Sequence, residues 1–545
     1  MEDLKSQPLD MFVIGGGVNG TGIARDAAGR GISVALAEMG DLGGATSSAS
    51  TKLFHGGLRY LEYFEMRLVR EALREREVLL RAMPHISRPM RFVLPYRKDM
   101  RFDASTPVSK LVGVLMPWLK GRRPAWQIRL GLFLYDQMGG RKFLAGTKRV
   151  DLTTDQAGRP LQARYRHAFE YSDGWVDDAR LVALNARDAH DRGAVIYPRN
   201  KVTRAQRDAG LWQITLEDQR TGDVTQHYAR ILINAAGPWV SELLGGVIDS
   251  GSRDRIRLVR GSHIVTRKLF DHDRAYFFQG SDGRIVFAIP YEGNFTLVGT
   301  TDCEHAEPNE MPYCTEAEKE YLCDFVSEYF ERTITKADIV WSFSGVRPLI
   351  DDGAKSASAA SREYILKLDT QGGAPLLNVF GGKITTYRKL AEAALAKLAP
   401  CLPECTEPWT ADAKLPGGNF ELSSLEQLRS SLRSSFPFLD EDWADRLLRS
   451  YGRDAWEILK GSQAREDLGW DFGASMHEAE LRWLISREFA QTAEDVVWRR
   501  TKLGLVMNDD EIAALETWMQ TEQGDQIEAW PGSRNRPQMR RDRTT

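Results

Sequence analysis

Residues 11–38 read MFVIGGGVNGTGIARDAAGRGISVALAE, and their order of apolar run, glycine turn, small-residue helix and second apolar run decides the fold. The short runs at Met11–Ile14 and Ser33–Ala37 are strands, and the segment between them has helical character, so the stretch is one βαβ unit. Gly15-x-Gly17-x-x-Gly20 has a mechanical purpose in such a unit. The first glycine permits the turn, the second admits a pyrophosphate, and the third lets helix and strand pack closely. The helix N-terminus then faces the phosphates. Glu38 ends the second strand, where a carboxylate accepts from a ribose hydroxyl and would repel a 2′-phosphate, which disfavours NADP. The fold class expected from this start is α/β, with a Rossmann-like dinucleotide domain at the N-terminus.

FAD and NAD both fit the turn, and more distant segments separate them. The hydroxyl-rich GATSSAS includes Thr46, Ser47 and Ser48, and LINAAGPWV carries Gly237. A second glycine turn, Gly381-Gly382-Lys383, with Thr385 just behind it, precedes an amphipathic helix. None of the three segments is needed for a nicotinamide dinucleotide, whereas all suit a larger flavin. N–H groups and the positive end of that second helix would meet the flavin ring where negative charge collects on reduction. FAD is therefore the expected cofactor, held by Gly15, Gly17, Gly20, Glu38, Thr46, Ser47, Ser48, Gly237, Gly381, Gly382, Lys383 and Thr385.

The chain's 545 residues imply two or three domains with room for a large buried cofactor. A net charge of −3 gives no general attraction to nucleic acid, and none is expected as a partner. The five cysteines show no CxxC pair, which reads as reduced thiols in a cytosolic protein, and no metal-ligand pattern is present. The first ten residues lack a basic start and apolar core, so no cleavable leader is expected, and no run is long enough to span a membrane. From Val202 to Asp302 short alternating segments indicate a mostly antiparallel sheet. After Pro416 the segments are helical in period and rich in charge, and the last 15 residues, with five arginines, read as a disordered basic tail. No internal repeat is evident. The expected organisation is a flavin domain in three pieces (1–95, 141–240 and 341–415), a basic apolar insertion at 96–140 and a substrate sheet at 241–340. A helical domain at 416–527 and the tail at 528–545 complete it.

Taken together, GGGVNGTGIARDAAGRG, ATSSASTKLFHGGLRYLE, YSDGWVDDARL, NAAGPWV, GSHIV, VGTTD, SGVRPL and VFGGKITTYRKLAE closely resemble the membrane-associated, FAD-dependent glycerol-3-phosphate dehydrogenases. The likeness runs from Asp10 to Leu505. It implies a flavoprotein fold of the D-amino-acid-oxidase type and oxidation of glycerol 3-phosphate to dihydroxyacetone phosphate. It also implies electron delivery to a membrane quinone, attachment to the inner surface of the cytoplasmic membrane, and a homodimer. One departure stands out: KDMRFDASTPVSKLVGVLMPWLKGR, residues 98–122, is longer than the corresponding segment of bacterial members.

Binding a phosphomonoester beside a flavin requires fixed cations, and charge-assisted bonds of about 1.5–3 kcal/mol each mean that two or three are needed. Arg59, Arg347 and Lys383, each in a family motif, are the candidates. Oxidising a secondary alcohol also requires a base at the hydroxyl. His55, four residues before Arg59, is the first choice, because an imidazole with a pKa near 6.5 is mostly neutral at working pH. Lys383 is the alternative, since a cationic, desolvated site lowers an ammonium's pKa. His263 is the third, as a strand residue lining or supporting the pocket, and Tyr60 either hydrogen-bonds substrate or packs. Lys110, Lys120, Arg122 and Arg123 flank LVGVLMPWL, and RPAWQIRLGLFLYDQ follows as an amphipathic patch suited to lipid headgroups. Four such charges supply roughly 4 kcal/mol, only millimolar affinity, so apolar side chains must add the rest. Two rivals remain: an amine or amino-acid oxidase on the same fold, and a non-catalytic flavin-binding sensor.

Overall fold

The computed structural model describes residues 5, 7–97, 100, 125–140, 143–250, 252, 254–280, 283–350, 363–402 and 405–526, with side chains at 59, 350 and 522–526 left aside. The insertion at 98–122 thus falls almost wholly outside the described residues, as do Arg123, the tail and the side chain of Arg59.

The first sheet has a parallel core in the order β18 (Leu376–Phe380), β10 (Val224–Asn234), β1 (Leu9–Ile14), β2 (Val34–Ala37) and β7 (Val195–Tyr197). β17 (Ile365–Asp369) joins antiparallel beside β18, and β9 (Leu211–Asp218) links β10 to β8 (Asn200–Asp208) as a meander. From Met11 on, β1 is buried on both faces, which is why MFVI is continuously apolar rather than alternating. Met11 and Val13 face helices α1 (Val18–Gly29), α4 (Asp178–Asp191) and α7 (Tyr387–Leu398). Phe12 and Ile14 face Trp212, Ile214 and Leu216 of the meander and Leu244 of α5 (Val240–Gly246).

The second sheet runs β15 (Cys303–Glu304), β11 (Ile256–Arg267), β14 (Phe295–Gly299), β13 (Ile285–Tyr291), β12 (Ala275–Gln279), β4 (Ser87–Tyr96), β6 (His167–Val176) and β3 (Leu53–Phe54). β16 (Ile339–Ile350) pairs with β11, and β5 (Lys148–Asp151) with β6. Two features depart from the sequence expectation. The alternating segment from Val202 is shared between the sheets: WQITLED, in β9, pairs with β10 of the nucleotide sheet, because Trp212, Ile214 and Leu216 are needed to cover β1. The second sheet also takes β3 to β6 from the segments before residue 241, with β4 and β12 joined in parallel.

Helices α2 (Met66–Ala82), α3 (Ala125–Met138) and α6 (Glu316–Ser327) cover the second sheet. The C-terminal helices, α8 (Leu425–Ser435), α9 (Glu441–Tyr451), α10 (Glu478–Glu488) and α11 (Asp509–Gln526), have a core of their own around Leu447, Leu481 and Val496. Ion pairs fasten this unit to the nucleotide domain: the buried Arg180 with Glu488 and Arg500 with Asp41, and the half-buried Arg199 with Asp495. Such pairs fix the position of two domains more than they stabilise them, because desolvation offsets most of the attraction.

Candidate flavin and substrate site

The parallel strands β1 and β10 are neighbours whose crossovers leave in opposite directions, and ligands bind at the carboxyl ends of such a pair. A cavity of about 760 Å³ opens there and continues across to the second sheet. That volume suits a large ligand. At one end it is lined by Glu38, Met39, Asn200 and Val202, in the middle by Gly15, Gly17, Thr46, Ser47 and Gly237, and at the other by His55, Tyr60, Arg347, Gly381, Gly382, Lys383 and Thr385.

The first glycine turn behaves as its spacing requires. Gly15 has φ +109°, and a Cβ there would lie 2.5 Å from the Ala235 carbonyl oxygen. A Cβ on Gly20 would land on the Gly15 carbonyl oxygen itself, so only glycine lets α1 start this close to β1. A Cβ on Gly17 would meet Ser47 Oγ at 3.1 Å and fill the wall where a pyrophosphate passes. Ser47 Oγ also accepts from the Val18 amide at 3.0 Å, capping the first turn of α1. The Glu38 carboxylate is braced by the Gly16 and Gly40 amides at 2.6 and 2.8 Å, and burial nevertheless pushes its pKa up. Thr46 donates to the Val346 carbonyl at 2.5 Å, tying the hydroxyl-rich loop to β16. Ser48 is not among the described lining residues; its hydroxyl turns back to the Ala45 carbonyl at 3.4 Å.

Gly381 and Gly382, with φ of +71° and +105°, make the second turn, but α7 begins only at Tyr387. The intervening turn, closed by the Thr386 amide on the Lys383 carbonyl at 3.1 Å, is what brings Lys383 and Thr385 to the cavity. Asn19, in the first turn of α1, donates to the Gly381 carbonyl at 3.1 Å and so joins the two glycine turns.

At the far end, His55 follows β3, and its amide donates to Thr385 Oγ1 at 3.3 Å. Gly57, at φ +73°, lets the chain double back so that the Tyr60 ring folds over it, with Lys383 Nζ 4.1 Å from the centre of that ring. Tyr60 is thereby a cation–π partner for Lys383. Arg347 reaches across the space left by Gly261; its Nη1 bonds Asp302 at 2.5 Å and its Nη2 Thr300 Oγ1 at 3.2 Å. His263 stands behind the wall. It is 1% exposed, stacked on Phe343, and its Nε2 is 2.9 Å from Thr51 Oγ1, which does line the cavity. Burial, then Arg347 and Lys52, hold its pKa well below the usual imidazole value, so it is a neutral support. Sequence reasoning missed Asn19, Thr51, Asp173 and Asp302 as site residues. Asp302 closes the quoted motif VGTTD and is the obvious counter-charge for Arg347; Asp173 stands in the quoted motif YSDGWVDDARL, but nothing there marks it as facing the cavity.

The fold and this cavity define a dinucleotide-binding protein whose cavity has a cation-lined far end. Comparison with known proteins narrows the class. Residues 10–388 match the family model for FAD-dependent oxidoreductases, and residues 408–523 match the C-terminal domain of alpha-glycerophosphate oxidase. The chain is 48% identical to D-erythritol 1-phosphate dehydrogenase of Brucella abortus, over 94% of this chain and 98% of that one. It is 46% identical to glycerol-3-phosphate dehydrogenase of Pseudomonas aeruginosa (95% and 96% covered) and 44% to the aerobic enzyme of Escherichia coli (94% and 97%). Among solved structures it resembles glycerol-3-phosphate dehydrogenase of Bacillus halodurans complexed with FAD, with TM-score 0.69, 25% identity and 96% and 91% covered. The chain belongs to the FAD-dependent glycerol-3-phosphate dehydrogenase family of FAD-dependent oxidoreductases. Its cofactor is FAD, and the glycine turns, the hydroxyl-rich loop and the size of the cavity fit that molecule.

Proposed function

We propose that the chain oxidises glycerol 3-phosphate to dihydroxyacetone phosphate and passes the electrons to a membrane quinone. The observation that carries this reading is the convergence of His55, Arg347 and Lys383 on the end of the cavity bounded by the second glycine turn. Bound FAD supplies the hydride acceptor at flavin N5. Arg347, Lys383 and Arg59 hold the phosphate dianion, and His55 takes the proton from the C2 hydroxyl as the hydride leaves. Asp302 presents the Arg347 guanidinium in one orientation, so little side-chain entropy is lost when the phosphate arrives. Three cations also exceed what a single amino-acid carboxylate needs, which argues against the amine-oxidase alternative.

Attachment to the inner surface of the cytoplasmic membrane is supported by α3. It exposes Trp126, Leu130, Phe133 and Leu134, and Phe64 and Met66 are exposed as well. An aromatic, apolar face of this kind suits the headgroup region. No helix among the described residues is long and apolar enough to cross a membrane. We extend the proposal to a homodimer, in which two such faces would act together.

The 48% identical D-erythritol 1-phosphate dehydrogenase supplies a second substrate reading, a phosphorylated polyol one carbon longer. The deciding experiment is anaerobic mixing of FAD-loaded protein with each phosphate while the visible flavin absorbance is followed. We expect bleaching that is fastest with glycerol 3-phosphate, and slower bleaching by about 100-fold or more in His55→Ala at saturating substrate, as loss of a general base produces. Faster bleaching with D-erythritol 1-phosphate would transfer the assignment to the longer substrate. Oxidised flavin with both would refute a polyol-phosphate dehydrogenase.

A further inference from the structure

The catalytic loop reaches the cavity from a side that its own motif does not explain. His55 and Gly56 present consecutive amides, and each is met by a hydroxyl from a different part of the chain. The His55 amide donates to Thr385 Oγ1 at 3.3 Å, and the Gly56 amide donates to Tyr135 Oη at 2.7 Å. Tyr135 is on α3 and is 1% exposed, on the face opposite the helix's exposed apolar residues. Its phenol in turn donates to the Asp173 carboxylate, with both oxygens at 2.9 Å. Asp173 is 3% exposed and lines the cavity, and it is itself held by Arg76, whose Nη1 also donates to the Ser172 carbonyl at 3.0 Å.

The direction of each bond in this chain is fixed. A phenol has one proton, and a carboxylate can only accept, so the Tyr135 proton points to Asp173 and its lone pair faces Gly56. Burial pushes the phenol's pKa well above its usual value, which keeps that proton in place. Burial lifts the Asp173 pKa to about 6 despite the charge of Arg76 beside it, so near neutral pH the group is still a carboxylate. Space is arranged to match, because a Cβ on Gly56 would lie 2.6 Å from Leu73 and 2.9 Å from the Tyr135 ring. The second residue of the HGG motif is therefore glycine because Leu73 and Tyr135 together fill the space a side chain would need.

We propose that Tyr135, backed by Asp173 and Arg76, is a positioning residue for His55. By holding the Gly56 amide against the pull of Thr385 on the other side, it sets the direction in which the imidazole enters the substrate end of the cavity. The proposal rests on the role given to His55 above. It assigns to α3, read from sequence only as a lipid-facing insertion, a second and inward-facing duty.

The test is Tyr135→Phe in the FAD-loaded protein. Phenylalanine keeps the edge-to-face contact with Tyr171, whose ring centre is 6.0 Å away, and removes only the hydroxyl. Two signals are read. Hydrogen–deuterium exchange of the peptide spanning 53–64 should quicken at Gly56. The first-order rate of flavin reduction by saturating glycerol 3-phosphate should fall by roughly tenfold, the cost of leaving the buried Gly56 amide unmatched and Asp173 one donor short, with KM changed less than about twofold. Leu132→Ala is the companion variant; it loosens α3 from its core without touching the bond. Either signal at its wild-type value in Tyr135→Phe overturns the proposal, as does an equal slowing in Leu132→Ala. Should the wild-type flavin resist reduction by glycerol 3-phosphate, the substrate reading fails by itself, and the exchange comparison still decides the Tyr135 contact.

Discussion

The two ends of the cavity are built by different means. The nucleotide end is local: Gly15, Gly17, Gly20 and Glu38 lie within one βαβ unit, and backbone sterics shape the turn. The far end, to which we assign the substrate, is assembled from a distance. His55 follows β3, Arg347 is on β16 and Lys383 follows β18, and Thr51, Asp302 and Thr385 line the same cavity. Short-range backbone geometry tolerates almost no substitution, whereas a constellation of side chains is held by many separate contacts, each individually modest. The largest expected effect is therefore at the nucleotide end. In Gly20→Val the branched side chain must displace the Gly15 carbonyl, which moves both the turn and the start of α1. We expect purified Gly20→Val to carry almost no flavin, with FAD affinity reduced on the order of 1,000-fold, measured by quenching of flavin fluorescence. Retention of stoichiometric FAD would show that the contact between helix and strand is slack.

The same difference explains what could be read in the sequence. The βαβ unit, the hydroxyl-rich loop and the second glycine turn announce themselves because turn geometry constrains residue type directly. The make-up of the second sheet does not. β4 and β6 lie more than 150 residues before β16 in the chain, and alternation along a strand says which face is buried but not which sheet it joins. His263 illustrates the limit. Its motif placed it near the pocket, and only the fold puts Thr51 between it and the cavity. Tyr135 is the sharper case: its helix is conspicuous for exposed apolar residues, and nothing local marks the one tyrosine that turns inward to the HGG loop.

Acid should separate the two ends. Glu318, at the N-terminus of α6, is 5% exposed and accepts from the Thr315 amide and from the hydroxyls of Thr315, Thr301 and Ser262. Ser262 and Thr301 flank His263 and Thr300, so this carboxylate fastens the wall at the far end of the cavity. Burial raises its pKa, but those bonds outweigh burial and hold it at about 2, below the usual 4.5. A carboxyl depressed in the folded state contributes stability that is present above its unfolded pKa and lost as pH falls through its folded one. About 3 kcal/mol should therefore disappear between pH 4.5 and pH 2. Thermal melts across that window should show Glu318→Gln less stable than wild type at pH 6 and nearly equal to it near pH 2. A constant difference between the two proteins at all pH values would mean that the carboxylate's charge contributes nothing.

The smallest effect expected is at the residue that links the two ends. Asn19 belongs by position to the first glycine turn and by contact to the second, since its amide donates to the Gly381 carbonyl at 3.1 Å. Gly381 and Gly382 both have positive φ, so no side chain of their own steadies the turn, and it relies on partners from elsewhere. Asn19→Ala removes that partner and leaves α1 intact, because alanine is a better helix former than asparagine. The loss is one hydrogen bond at a partly exposed position, about 1 kcal/mol, or roughly fivefold in FAD affinity. Asn19→Asp should be worse than Asn19→Ala, because a carboxylate has no proton to give and would face the Gly381 carbonyl with like polarity. If the two variants bind FAD equally and as tightly as wild type, the second turn holds its shape alone, and the two ends of the cavity are independent where they meet.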